Sequence, residues 1–357
     1  MQFSVPNLSA KEAENLQKAV AANQLASGPF VTEFEERIKE KFGYLHAVAM
    51  NSGTSALMLA LEALGVGEGD EVIVSPYTMV ASVNVVLARG ATPVFADIDR
   101  ETYNLTPSTV AGALTYKTAA VIPVDIFGVP CDVKGIRQIL PKRVAIVQDA
   151  CEALGSTHDG KPVGFYADAA VFSFFPNKQI TTGDGGVLVT ADPVLASQTR
   201  ALSRHGVLAG ASMYEQSYGY NYRMSDLHAA VGCAQMERFD EIMEGKAAAY
   251  KLLDERFKPY QRQTVLEGDT YHPFVYVIEI PEVVDKKALC ETAPYPLKPY
   301  FVSLHHLEHL QDYTTEPLPV CEEVARRTVA LPYHHLLTKE EVDELWHFFK
   351  GVLQHEG

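Results

Sequence analysis

The chain has 357 residues, 47% of them hydrophobic and 21% charged, with a formal net charge of -15. That length suits one large domain plus a smaller one, and the composition excludes a disordered chain or a fibrous repeat. The acidic balance argues against a nucleic-acid surface, so any anionic ligand must be held by a local pocket rather than by the global field.

The first twenty residues lack a basic start followed by an apolar core, so no secretory signal is expected. A helix is predicted over Ala10 to Ala22, then a turn at Ala26-Ser27-Gly28-Pro29. A second helix follows over Phe30 to Phe42, with Val31, Phe34, Ile38 and Phe42 on one face. From Ala47 onward, short β-branched runs (HAVAM, EVIVS, TPVFADI, AAVIPVDIF, VAIVQDA, DAAVFSFF, GGVLVTA) are interspersed with amphipathic helical stretches. This pattern predicts an α/β fold whose mostly parallel sheet has helices on both faces. The longest apolar region, Val72 to Ala96, is interrupted by Pro76, Asn84 and Arg89 and reads as strand–helix–strand, so no membrane partner is expected. The large domain is expected over residues 1–240 and a smaller C-terminal α/β domain over 241–357. The latter region holds a long polar helix beginning after Met236, a strand (PFVYVIEI), a Pro- and His-rich stretch and a closing helix over Lys339 to Leu353. Five scattered cysteines without metal-ligand spacing read as reduced thiols of a cytoplasmic protein.

Open parallel sheets bind ligands beyond the carboxyl ends of their strands, and four segments fall there. Asn51-Ser52-Gly53-Thr54-Ser55-Ala56 joins a strand to a helix. Gly53, Thr54 and Ser55 would offer N–H groups and hydroxyls to a phosphate, although Ser and Thr are equally at home as plain helix caps. Asp149 ends the strand VAIVQD, and a carboxylate so placed needs a partner. A protonated pyridine nitrogen would serve, and so would a helix terminus or an ion pair. Lys178 follows the strand AAVFSFF and precedes the turn Gly183-Asp184-Gly185-Gly186. A lysine at a strand mouth is a candidate imine-forming amine, though most lysines are solvated surface groups. Ser173, on the same segment, could add a hydroxyl to the phosphate site. Finally, Tyr218 to Asp226 carries Asn221 and Arg223, donors suited to phosphate or carboxylate, in a tyrosine-rich loop that would also suit a subunit interface. Ser225 reads as the cap of the helix that follows.

The order and wording of these segments resemble the DegT/StrS-type sugar aminotransferases, a family of fold type I pyridoxal-phosphate enzymes. The resemblance runs from Ser27-Gly28-Pro29 and Phe34-Glu35 through NSGTSALMLALEALGVGEGDEVIVSP, GATPVFADIDRETYNL and VQDACEALGS. It continues through FSFFPNKQITTGDGGVLVT, LSRHG and GYNYRMSDLHAAVG to a fainter LPYHHLLTKEEV.

The resemblance implies pyridoxal 5'-phosphate as cofactor, with Lys178 as its Schiff-base lysine and proton shuttle and Asp149 paired with the pyridinium. It places Glu152 near the ring hydroxyl and Gly53, Thr54 (or Ser55) and Ser173 on the phosphate. Asn221 would reach in from the neighbouring subunit of a homodimer with shared sites, and Ser27, Gly28 and Arg223 are the candidate substrate contacts. An aromatic residue usually covers the ring after a Thr; here Thr78 is followed by Met79, so Met79 or Tyr77 would take that place. Glu152 stands in place of the commoner Gln or His, and Lys298-Pro299-Tyr300-Phe301 where an Arg-Pro pair is often seen.

The implied reaction moves an amino group from glutamate to a keto sugar, favoured as a nucleotide-linked 4-keto or 3-keto 6-deoxy sugar. Amination of a cyclitol ketone from glutamine is the alternative within the same chemistry; a sugar dehydratase and a non-catalytic regulator are further readings. His305, His306, His309, His334 and His335 show no supporting carboxylate or Cys pattern, so no metal is expected.

Overall fold

The computed structural model describes residues 1–208, 217–314 and 316–353. In chain order, α1 (Ala10–Ala21) and α2 (Pro29–Phe42) lead into β1 (His46–Met50), α3 (Gly53–Ala63), β2 (Glu71–Val74), α4 (Ala81–Ala88) and β3 (Thr92–Phe95). There follow α5 (Pro107–Ala113), β4 (Thr118–Ile122), α6 (Val133–Ile139) and β5 (Ala145–Asp149), then a short hairpin of β6 (Thr157–His158) and β7 (Lys161–Pro162). The strands β8 (Ala169–Ser173) and β9 (Gly186–Thr190) precede α7 (Pro193–Ser203) and α8 (Asp226–Glu237). The remaining elements are α9 (Phe239–Phe257), β10 (Tyr276–Glu279), α10 (Lys286–Thr292), α11 (Pro319–Arg327), β11 (Thr328–Leu331) and α12 (Lys339–Leu353).

Seven strands form one sheet in the order β1-β9-β8-β5-β4-β2-β3. All neighbours run parallel except β9, which lies antiparallel between β1 and β8. The segment between Ser173 and Gly186 contains no crossover helix, so β9 returns beside β8. The central strands are buried on both faces: Val72, Val74, Ile122 and Val171 pack in one apolar cluster and Phe172, Val187 and Ile180 in another. This is why they read as continuous apolar runs rather than as an alternation.

Buried charge ties the layers together. Glu35 of α2 takes both guanidinium nitrogens of Arg200 at 2.9 Å each and the Ala49 N–H at 2.8 Å, joining α2, α7 and β1. Asp97 accepts the N–H groups of Val320 and Cys321 at the start of α11. Arg100 grips Glu279 of β10 in a bidentate pair (2.6 and 2.7 Å). The C-terminal elements also keep a core of their own, in which α9 and α12 cover the β10–β11 pair with Leu253, Phe257, Tyr276, Leu345 and Phe349. The long polar helix expected after Met236 is α9, which starts at Phe239 because α8 ends at Glu237 and the chain breaks helical geometry at Arg238; the 240/241 boundary falls in the first turn of α9.

One ion cluster fixes the segment leading to the site. His158 of the hairpin lies between Asp132, the cap of α6, at 3.2 Å and Asp269 at 3.0 Å. The hydrogen bond to Asp132, helped by Asp269 against the cost of burial, raises its imidazole from the ordinary 6.5 to about 9. A raised folded-state value stabilises fully below the unfolded pKa and is lost as pH climbs through the folded one. Between pH 6.5 and 9.5, the melting temperature should therefore fall further for the wild-type chain than for His158→Gln. Parallel thermal melts of the two would contradict the assignment.

Candidate functional site

At the carboxyl end of the sheet, the last residues of β5 and β8 and the segment that follows β1 meet at one cavity of about 370 Å³. Gly53, Thr54, Met79, Asp149, Glu152, Ser173 and Lys178 all line it. Ser52 caps α3 by accepting the Ser55 N–H at 3.1 Å, which leaves the first turn of that helix, Gly53 and Thr54, at the cavity wall. The first N–H groups of a helix have no intrahelical acceptors, so this end favours an anion. Gly53 is dictated by space: a Cβ there would stand 2.9 Å from Cys151 Sγ and 3.1 Å from Ser173 Cβ.

Asp149 is 5% exposed and both its oxygens are engaged. The Ser82 hydroxyl donates to Oδ2 at 2.6 Å and the Cys151 N–H to Oδ1 at 3.2 Å. Lys178 sits in the turn after β8, its own N–H bonded to Phe175 O. Its ammonium lies 3.3 Å from Glu152 Oε1 and 4.0 Å from the centre of the Phe274 ring. Glu152 Oε2 accepts the Phe127 N–H at 2.8 Å. Burial pushes the Glu152 carboxyl up, against the opposing pull of Lys178 and of the Phe127 N–H. Rings stack away from the lysine as a continuous wall: Phe274 on Tyr300 (6.4 Å), Tyr300 on Phe301 (5.0 Å) and Phe301 on Phe127 (5.6 Å).

Other expected residues lie elsewhere. Tyr77 does not cover the cavity; it is fully buried behind the wall, edge-on to Phe127 and Phe301, with its hydroxyl on the Tyr300 carbonyl at 2.9 Å. Ser55 turns its hydroxyl inward to Asn51 Oδ1 and the Ser52 carbonyl, completing the cap. Ser27 and Gly28 fall outside the lining, and a Cβ on Gly28 would meet Asp226 Oδ2 at 2.3 Å, so this glycine is needed for packing. Asn221 bridges Arg204, and Arg223 reaches His205 Nε2 at 3.1 Å; neither lines the cavity of its own chain. Ser225 caps α8 as expected.

The histidines gain a carboxylate that the sequence did not reveal. Glu322 of α11 stands 3.3 Å from His305 and 3.7 Å from His306, while His309 bonds Asn84. His305 Nδ1 is buried without a partner among the described residues, whereas a metal-bound imidazole normally gives its second nitrogen an acceptor. Sequence reasoning also missed Ser82, Phe274 and Lys286. Ser82 had a faint signal, a hydroxyl in the otherwise apolar turn of ASVNVVLA. Lys286 of α10 donates to the carbonyls of Pro299, Phe301 and Ala325, fixing the aromatic wall from behind; burial pushes its ammonium down to about 8.

Compared with known proteins, residues 6–350 match the model of the DegT/DnrJ/EryC1/StrS aminotransferase family. The chain belongs to that family. It is 33% identical over 358 residues to a GDP-perosamine synthase of Vibrio cholerae, covering 97% of each chain. It is 32% identical over 350 residues to the GDP-perosamine synthase of Escherichia coli O157:H7, covering 94% of each. Among solved structures, Spr1654 of Streptococcus pneumoniae in its PLP form superposes with a TM-score of 0.92 at 27% identity, covering 99% of both chains, and its PMP form with 0.91. The protein is thus a pyridoxal phosphate-dependent sugar aminotransferase with the α/β architecture of that family.

The residues present fit this cofactor. The cavity pairs a lysine and a fixed carboxylate with a helix N-terminus, and Asn177 Oδ1 on its lining is buried without a partner among the described residues. Replacing Ser82 by Ala removes one of two hydrogen bonds to Asp149. Turnover should fall roughly tenfold, the usual size for a lost charge-assisted bond, with the fold retained by circular dichroism. An unchanged rate would show that Asp149 needs no such support.

Proposed function

We propose that the chain transfers the amino group of glutamate to a nucleotide-linked keto sugar, a 4-keto or 3-keto 6-deoxy sugar, with Lys178 and Asp149 as its catalytic residues. The support is the convergence of Lys178, Asp149 and the α3 N-terminus on one cavity, together with the two relatives whose names carry a GDP-linked amino sugar.

When bound, pyridoxal phosphate supplies an aldehyde carbon for amines and a ring that withdraws electrons from the substrate carbon. In this reading the N–H groups at Gly53 and Thr54, with the Ser173 hydroxyl, hold the phosphate. Asp149, oriented by Ser82 and the Cys151 N–H, stabilises positive charge on the ring nitrogen. The Lys178 amine takes the proton from the α-carbon of the amino donor and delivers one to the sugar carbon that receives the amine. Glu152 holds the displaced Lys178 ammonium within the cavity, and the Phe274–Tyr300–Phe301 wall limits water there. Met79, 57% exposed at the rim, covers the outer side. Five free thiols and the acidic surface support a cytoplasmic setting.

Protein loaded with pyridoxal phosphate should be yellow, and glutamate should bleach that band as amino groups are taken up; Lys178→Ala should bind cofactor without turnover. Screening the amino-loaded enzyme against nucleotide-linked keto sugars and cyclitol ketones tests the acceptor. Turnover of cyclitol ketones alone would overturn the nucleotide-sugar assignment.

We further assign Asn221 and Arg223 to the site of a second copy of the chain, because both lie outside their own cavity. Inactive Lys178→Ala and Asn221→Ala proteins should regain up to about a quarter of wild-type activity on subunit exchange, since statistical pairing leaves one intact site in half of the dimers. No recovery would remove Asn221 from a shared site.

A further inference from the structure

Behind Lys178, on the side away from the cavity, lies a second buried lysine that the reaction does not use. Lys246 extends from the second turn of α9, and its ammonium donates to the Lys178 carbonyl at 2.6 Å. The residue is 8% exposed. Its own carbonyl accepts the Tyr333 hydroxyl at 3.0 Å, and Tyr333 N–H bonds Phe3 O, so the N-terminal segment, α9 and the strand β11 exit all converge on this point. Among the described residues no carboxylate lies within ion-pair distance of Lys246.

The surroundings are basic. Lys178 faces it from the turn after β8, His272 from the segment before β10, and His335 from the loop before α12; each of the two imidazoles is held below its ordinary value, chiefly by burial, with the Lys246 charge contributing. Asp240 and Glu244, on α9 itself, share with Lys246 the lining of an adjoining surface cleft, and Glu152 lies beyond Lys178. Burial, reinforced by the charge of Lys178, pushes the Lys246 ammonium down to about 7.

An ammonium buried without a carboxylate partner is costly, and an apolar side chain would fill the same space more cheaply. The cost falls at the peptide of the one lysine the proposed reaction uses. We propose that Lys246 is a positioning residue for Lys178: it fixes the Lys178 peptide from α9, and its charge opposes protonation of the Lys178 nitrogen. Like-charge proximity of this kind is a general route to a reactive amine. The inference rests on Lys178 being the residue that binds the cofactor.

The test uses the full chain loaded with pyridoxal phosphate, as wild type, Lys246→Met and Lys246→Arg. The pH midpoint of the cofactor absorbance reports protonation at the Lys178 nitrogen independently of turnover. Lys246→Met should raise that midpoint by about half a unit or more and slow turnover at pH 7 about tenfold. Lys246→Arg should restore the midpoint and most of the rate. A midpoint that stays at the wild-type value in Lys246→Met, or the same shift in Met and Arg variants, overturns the proposal. Should Lys246→Met fold poorly, Lys246→Gln keeps a donor without the charge; an upward midpoint supports the electrostatic role and an unmoved one overturns it. A wild-type chain with no pH-dependent cofactor band sinks the Lys178 assignment itself, whereas a normal wild-type band with unaltered variants sinks only the role of Lys246.

Discussion

The ammonium of Lys178 and the carboxylate of Glu152 face each other 3.3 Å apart in a cavity that buries most of both side chains. Removing one partner would leave a charge in a medium that solvates it poorly, so each must be held in place by other parts of the chain. Glu152 is held by the Phe127 N–H, and its carbonyl takes the Gln179 amide, which also bonds the His272 carbonyl. Lys178 is held by its own turn and, at the carbonyl, by Lys246. The strand ends of β5 and β8 and the C-terminal elements meet at this pair, and the remaining layers fix where those ends come to lie.

Around that pair the chain uses lysines in an unusual way for a protein of net charge -15. Lys178, Lys246 and Lys286 are all drawn into the interior near the cavity, and two of them spend their donors on main-chain carbonyls. A lysine tied to carbonyls fixes backbone rather than neutralising a carboxylate. In so acidic a molecule an anionic ligand must be met by local design, and the α3 N-terminus at the cavity wall offers a partial positive charge.

Much of this was legible in the sequence. The strands HAVAM, VAIVQD and AAVFS announce themselves by β-branched runs, and the residues just past them (Gly53, Glu152, Lys178) reach the cavity because strand ends in such sheets do. What the sequence hid was partnership over distance. An apolar run such as GVLVT reads the same in either direction, and only the short Gly-rich connection before it hints that β9 is antiparallel. Tyr77 and Met79 differ in which side of one turn they occupy, and no periodicity covers three residues. Phe274 comes from the start of the run PFVYVIEI and Tyr300 and Phe301 from the Pro- and His-rich stretch after it, so their stacking beside Lys178 exists only once the C-terminal elements pack back on the sheet. Lys246 lies in a helix that reads as polar and solvated, and its burial depends on Tyr333, far along the chain.

The centre of the chemistry is a single nitrogen, and it can be labelled. Borohydride reduction of the chain loaded with pyridoxal phosphate, followed by peptide mass mapping, reads which lysine bonds the cofactor. The expected result is one reduced adduct on the peptide containing Lys178 and none on those containing Lys246 or Lys286. An adduct on another lysine, or none at all with cofactor bound, would contradict the assignment.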